Sequence, residues 1–459
     1  MTIKCVSPDY IRTLFTDAMS VMYREEVPAY ADLVTLVEEV NAKVLKADPE
    51  LEEELEAEGG IDALNAERHG AIRLGKPEEL NLLGRAFALM GMFPVGYYDL
   101  SVAGLPVHST AFRPITPSSL ASNPFRVFTS LLRLEQIEDE SLRQIASEIL
   151  SKRDIVTQRA KELICLAELQ NGLDESQAIS FVEEIVETFR WHSTARVGAD
   201  TYKQLKAAHP LIADIVSFAG PHINHLTPRV LDIDMAQKLM PDKGLNAKDH
   251  IEGPPYRECP ILLRQTAFKA LSETVVFSDG VSNIEGEHTA RFGEIEQRGI
   301  ALTPKGRALY DKLLFKAKSE KHLDSYQASL EHTFLEFPDD WEKLRREGLA
   351  YFRYVLTEKG NDEANSGGLK DSIENLIEAG LMDAKPITYQ DFLPVSAAGI
   401  FRSNLSSNDS DIYESSANQE QFEKDLGCPV HDAFQLYAHE EKESLSNCLR
   451  MLDQTGCID

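Results

Sequence analysis

RHGAIRLGKPEELNLLGRAFALMG, residues 68–91, reads as a short strand followed by a helix with Pro77 in its first turn. Three β-rich runs come next, VGYYDLSV (95–102), VHSTAFRPI (107–115) and FRVFTSLLRL (125–134), separated by Gly, Pro and Ser. The order is β-α-β-β-β. It returns later in the chain: HINHLTPRVLDI (222–233) reads as a strand, DMAQKLMPDK (234–243) as a short helical stretch, and ILLRQTAFKAL (261–271), ETVVFSDG (273–280) and TARFGEIEQRG (289–299) as three further strands. Two such units can curl into facing sheets around one barrel-like cleft, so the expected class is α+β with paired β-α-β-β-β modules.

The remainder is arranged around those modules. Between Pro8 and Glu58 the apolar residues Ile11, Leu14, Phe15, Met19, Leu33, Leu36, Val37 and Val40 recur at helical spacing, and PELEEELEAEGG (49–60) ends in a glycine pair that stops the helix. A charged helical stretch from about Glu135 to Val197 has the look of an inserted layer or lid. After TPKGRALYDKLL (303–314) come a helical acidic piece (338–356), a Gly/Asn-rich loop (KGNDEANSGGLK, 359–370) and a small-residue turn (FLPVSAAGIFRSNL, 392–405). The boundaries follow: 1–62 helical N-terminal segment, 63–134 first module, 135–219 helical insertion, 220–300 second module, 301–459 C-terminal elaboration packed on the core.

Composition narrows the partners. Lys plus Arg total 47 against 75 Asp plus Glu, a net charge of −28, whose field repels nucleic acid and anionic lipid. The same field repels an anionic small substrate, so any acid bound here needs a local cation, a metal or a recessed arginine. Six cysteines without a CxxC argue against a zinc ribbon, an iron–sulfur cluster or a disulfide framework and suit a reducing, cytoplasmic setting. The N-terminus lacks the pattern of a signal peptide, and no run of about 18 apolar residues occurs. The sequence leaves the oligomeric state open.

His69, His225 and Glu294 come from three strand-like segments and offer two imidazoles and one carboxylate. That is the ligand complement of a mononuclear non-haem iron(II) site, which holds one face of the metal and leaves the other open to substrate and dioxygen. His222 and His225 would fall on opposite faces of a strand, so only one can point into the cleft; His225 shares its face with Ile223. Glu294 and Glu296 both lie on the Phe292 face, and alternation cannot separate them. His69 and Arg73 are four apart and share one side, with Cα atoms about 13 Å apart at about 3.3 Å per residue. Such a separation suits a dicarboxylic oxo acid with its 2-oxo acid end on the metal and its far carboxylate on a guanidinium fork. His108 and Arg291 are outer candidates.

HGAIRLG, HINHLTPR, FGEIEQRGIALTPKGR and PVSAAGIF together resemble the 2-oxoadipate dioxygenase/decarboxylases, or hydroxyglutarate synthases, within the VOC superfamily of paired β-α-β-β-β modules. The resemblance runs along nearly the whole chain. It implies iron(II) held by His69, His225 and Glu294, and a similarity to hydroxyphenylpyruvate dioxygenases and hydroxymandelate synthases favours Glu294 over Glu296. It also implies Arg73 and His69 at the substrate, Val395 against it with Ser396 adjacent, and conversion of 2-oxoadipate and dioxygen to 2-hydroxyglutarate and carbon dioxide in lysine catabolism. Two other readings stand beside it. One keeps the site but uses a redox-inert zinc or nickel for an isomerase, lyase or hydrolase reaction; the other is a non-catalytic interaction protein.

Overall fold

The structure, a computed structural model, describes residues 4–56, 60–278, 280, 282–319, 325–366, 371–393 and 418–452. In the first module β1 (Glu67–Leu74) leads through the helix Pro77–Leu89 to β2 (Phe93–Asp99), β3 (Val107–Arg113) and β4 (Arg126–Leu132). The last three run as an antiparallel meander, which returns β4 parallel to β1, with His69 opposite Arg126 and Arg73 opposite Ser130. All eight residues of β1 are buried. It reads RHGAIRL without clean alternation because it has a strand on each edge and packing on each face.

The second module departs from its expected form. The short strand β5 (Thr194–Ala195) precedes β6 (His225–Pro228), and β6 joins the first sheet antiparallel to β1, giving the order β2-β3-β4-β1-β6. After the helix Ile233–Leu239 come four strands rather than three: β7 (Leu263–Ala267), β8 (Ser272–Ser278), β9 (Asn283–Thr289) and β10 (Glu294–Arg298). The unread strand is β9, NIEGEHT, whose polar, largely exposed residues carry no apolar alternation. β8 and β9 form a hairpin flanked by β5, while β10 pairs with β7. Among the described residues the sheets have five, two, two and three strands and close no barrel. The cleft's strands converge instead through β1 beside β6, and through a parallel bridge between Arg229 and Glu296 that sets β10 alongside.

The N-terminal stretch is three helices, Pro8–Glu26, Pro28–Ala47 and Pro49–Glu56, each starting on a proline, which fits a first turn and ends whatever precedes it. Their buried tyrosines brace the strands. The Tyr23 hydroxyl contacts the carbonyls of Asn224 and Phe292 at 2.9 and 2.7 Å, and Tyr30 donates to Glu67 at 2.5 Å. These contacts lie one residue before His225 and two before Glu294 and His69. Within 135–219 the structure shows helices Glu140–Ser151, Gln158–Gln170, Glu175–Val186, Ala199–Ala208 and Pro210–Ser217. No helix among the described residues is long and apolar enough to cross a membrane.

Two compact units divide the chain, one of residues 1–252, 265–297 and 392–431, the other of residues 253–264, 298–391 and 432–459. The second unit uses one device twice. In Leu302-Thr-Pro-Lys-Gly306, the Thr303 hydroxyl donates to Gly348 O, Lys305 Nζ to Glu347 O, and Gly306 N donates back to the Thr303 hydroxyl. In Leu356-Thr-Glu-Lys-Gly360 the same three bonds run from Thr357 to Gly380 O, Lys359 to Ala379 O, and Gly360 N to Thr357. The second copy starts a helix, Glu358–Ser366, where the sequence reads as a loop; the capping threonine outweighs the Asn and Gly content. Both glycines are forced by close approach, since a Cβ would lie 1.9 Å from the carbonyl oxygen of Leu349 or Leu381. Gly306→Ala and Gly360→Ala should each destabilise the protein by about 1–3 kcal/mol or more, seen as a lower thermal midpoint; unchanged midpoints would show that the contacts relax at no cost.

Candidate metal centre

β1, β6 and β10 each deliver one polar side chain to a common point. His69 is the third residue of β1, His225 the first of β6 and Glu294 the first of β10. All three are buried, at 0, 0 and 1% exposure. Glu294 Oε1 lies 3.0 Å from His69 Nε2 and 3.9 Å from His225 Nε2, and one ligand atom from each residue falls within 4.8 Å of the others. Ligands about 2.1 Å from a shared ion stand about 3–4 Å apart, so these separations fit one cation.

The glutamates that alternation could not separate have different places. Glu296 Oε2 sits 2.8 Å from His69 Nδ1, on the opposite side of the ring from Glu294. A carboxylate on the outer nitrogen fixes the tautomer and orientation of a metal-binding imidazole. Glu294 is held in turn by Gln265 Nε2 at 2.6 Å and the Thr227 hydroxyl at 3.3 Å. His225 packs on Phe292, and His69 on Phe392, edge to face. Neither ring nitrogen of His225 has a hydrogen-bond partner among the described residues. A fully buried imidazole with both nitrogens unspent is costly unless something else engages one of them.

Electrostatics keeps this donor set ready for a cation. Burial dominates at His225 and lowers its pKa to about 3 against the pull of Glu294, so the ring is neutral with lone pairs available. At Glu294 burial would raise the pKa, but His225 and His69 outweigh it and hold the group below its ordinary value. Burial pulls His69 down, and Glu296 with Glu294 more than reverses that.

Arg73, also buried, donates from Nη1 to Asp214 Oδ2 at 2.5 Å. His222 lies just before β6 rather than within it, so strand alternation does not apply to it. Its Nε2 is 3.3 Å from Asp214 Oδ1, away from the His69 cluster, and His288 Nε2 contacts the same oxygen at 2.8 Å. His108 pairs with the Tyr97 hydroxyl at 3.3 Å, and Arg291 is held by Glu26 and Glu273 over the Trp191 ring. Val395 and Ser396 lie outside the described residues. Sequence reading missed Thr227, Gln265, Asp214 and His288. Asp214 alone carried a signal, a single acid in the otherwise apolar helix PLIADIVS.

A family model for 2-oxoadipate dioxygenase/decarboxylase matches residues 15–404. The chain is 55% identical over 455 residues to the 2-oxoadipate dioxygenase/decarboxylase of Pseudomonas putida, covering 98% of each. It is 55% identical over 443 residues to that of Escherichia coli K12, covering 96% of this chain and 98% of the other. Among solved structures, the hydroxyglutarate synthase of Pseudomonas putida in complex with 2-oxoadipate superposes with a TM-score of 0.90 at 52% identity, over 98% of this chain and 99% of that one.

The His225 environment sets an acid dependence. Unfolded, this imidazole takes its proton near pH 6.5; folded, only near about 3. Between those values the unfolded state binds more protons, so stability present above pH 6.5 is lost progressively as the pH falls toward 3. In chelator-treated protein, His225→Asn should flatten this part of the stability–pH curve measured by urea unfolding. An unchanged slope would show that His225 titrates normally.

Proposed function

The chain belongs to the 2-oxoadipate dioxygenase/decarboxylase family, and on that premise we propose that it converts 2-oxoadipate and dioxygen to 2-hydroxyglutarate and carbon dioxide with iron(II) at the His69–His225–Glu294 cluster. Two oxygen atoms enter and one carbon leaves as carbon dioxide, so the atoms balance without an external reductant or a second oxo acid. The observation that carries the reading is the convergence of two imidazoles and one carboxylate, with His225 fully buried and its ring nitrogens without a hydrogen-bond partner among the described residues. By family resemblance the reaction serves lysine catabolism.

Bound iron(II) would supply the capacity to engage and reduce dioxygen, which no side chain here possesses. The chain does the rest. Glu296 keeps His69 Nε2 facing the cluster, and Gln265 and Thr227 keep the Glu294 carboxylate from turning away. Phe292 and Phe392 line the imidazoles with apolar surface and exclude bulk water from a site where a reactive oxidant would otherwise be quenched. Arg73 receives the far carboxylate through its fork. Val395, by resemblance, lies against the substrate.

The test is turnover of 2-oxoadipate by protein reloaded with iron(II) or with zinc, with and without dioxygen. The expected result is 2-hydroxyglutarate and carbon dioxide in equal amounts, matched to oxygen consumed, with iron only. Activity with zinc, or under strict anaerobiosis, would replace the oxygenase with the redox-inert reading. His225→Ala and Glu294→Gln should abolish turnover. Glu296→Gln, at the outer nitrogen of His69, should weaken iron retention by about 10–100-fold. Retained iron and activity in either ligand variant would remove that residue from the centre.

A further inference from the structure

A second buried cluster stands apart from the metal ligands. The Tyr202 hydroxyl meets His288 Nδ1 at 2.8 Å, His288 Nε2 meets Asp214 Oδ1 at 2.8 Å, and Asp214 Oδ2 accepts from Arg73 Nη1 at 2.5 Å. His222 Nε2 approaches Asp214 Oδ1 from another side at 3.3 Å. The members come from the helix Ala199–Ala208, β9, the helix Pro210–Ser217 and β1, so three separate elements meet the one that carries the Arg73 guanidinium. With Tyr202 donating to Nδ1, a neutral His288 presents its Nε2–H to Asp214, and both contacts are satisfied without a net charge on the ring.

We infer that Asp214 is a positioning residue for Arg73, held by the His288–Tyr202 chain, and that this chain sets the length of dicarboxylic oxo acid the site selects. The inference rests on the reading above, in which Arg73 takes the far carboxylate. An arginine on a three-carbon stem sweeps several ångströms unless something holds it, and a swinging fork accepts acids of several lengths. Asp214 removes that freedom at Nη1, and its own carboxylate is held at the other oxygen by His288, with His222 3.3 Å away. With Arg73 locked on the strand that carries His69, the span from the metal end to the remote fork is rigid.

The charges support positioning over a plain attraction. Arg73 and Asp214 together are neutral, so the pair adds little net pull on a dianion; what it adds is geometry. Burial alone would raise the Asp214 pKa, yet Arg73 and His222 hold it well below the ordinary carboxylate range, which keeps the anchor ionised. The same three residues, Asp214, His222 and His288, have the donor types of a second metal site. A cation there would stand against the Arg73 guanidinium already bonded to Asp214, and like charges at that range repel strongly in a buried setting.

The experiment measures kcat and KM for the five-, six- and seven-carbon 2-oxo diacids with the iron-loaded protein, Asp214→Asn and Tyr202→Phe, together with metal content. Asp214→Asn should raise KM for 2-oxoadipate by about tenfold, with a smaller change in kcat, and should erode its preference over the five- and seven-carbon acids by a similar factor. Tyr202→Phe removes one hydroxyl at the far end of the chain and should shift KM and selectivity in the same direction by a smaller factor, which keeps the test valid if Asp214→Asn folds poorly. Proportional slowing of all three acids would reduce Asp214 to a structural ion pair. A lower KM in Asp214→Asn would make it a competitor for Arg73, and loss of a second metal equivalent would make the cluster a metal site; each overturns the inference. If the unaltered protein turns over none of the acids, the oxygenase reading itself fails. If it keeps a sharp preference that both variants retain, only this inference fails.

Discussion

Two buried carboxylates astride one imidazole form the constraint on which the centre depends. Glu294 and Glu296 flank His69 at 3.0 and 2.8 Å, with exposures of 1 and 0%. A carboxylate in a dry interior needs compensation. On the reading proposed above, a divalent cation at the cluster would supply it. The cluster would then hold a cation, with the outer carboxylate fixing the orientation of His69.

Holding such charges in place requires a frame that does not relax around them. β1 provides it by pairing on both edges, parallel to β4 and antiparallel to β6, which fixes His69 against Thr227 and Ala71 against His225. The N-terminal helices reinforce the frame from outside, with Tyr23 bridging the carbonyls beside His225 and Glu294 and Tyr30 holding Glu67. A segment that reads from its sequence as a generic amphipathic helix thus acts as a clamp on the strands that carry His69, His225 and Glu294.

The legible part of the structure was local and periodic. RHGAIRLG, the helix beginning at Pro77 and the three runs after it match β1 to β4 within a few residues, because strand and helix periods and turn residues are written within each segment. His69, His225 and Glu294 were visible as residue types in strand-like sequence. Less legible was anything decided by long-range pairing. β6 leaves its own module for the first sheet, and β9 forms from polar residues because a hairpin partner, not burial, stabilises it. Asp214 and His288 are 74 positions apart and become neighbours only when the helical insertion and the β8–β9 hairpin meet. Glu294 and Glu296 could not be told apart because both point inward, and the structure shows that each has its own nitrogen of His69 to face.

On the proposed reading, an acidic protein that takes up a dianion must separate attraction from selection. The 28 net negative charges are spread over a large surface, where salt screens them beyond about 8 Å, so they oppose the approach of substrate weakly. At the cluster the field reverses if the cation is present, and the oxo acid end is drawn there. The Arg73 end is neutral as a pair with Asp214 and contributes through direction. On that reading, this division would explain why an arginine that receives a carboxylate is already bonded to one: a bare buried guanidinium would bind any anion that reached it, whereas one fixed by Asp214 would reward only a carboxylate arriving at the right distance from the metal.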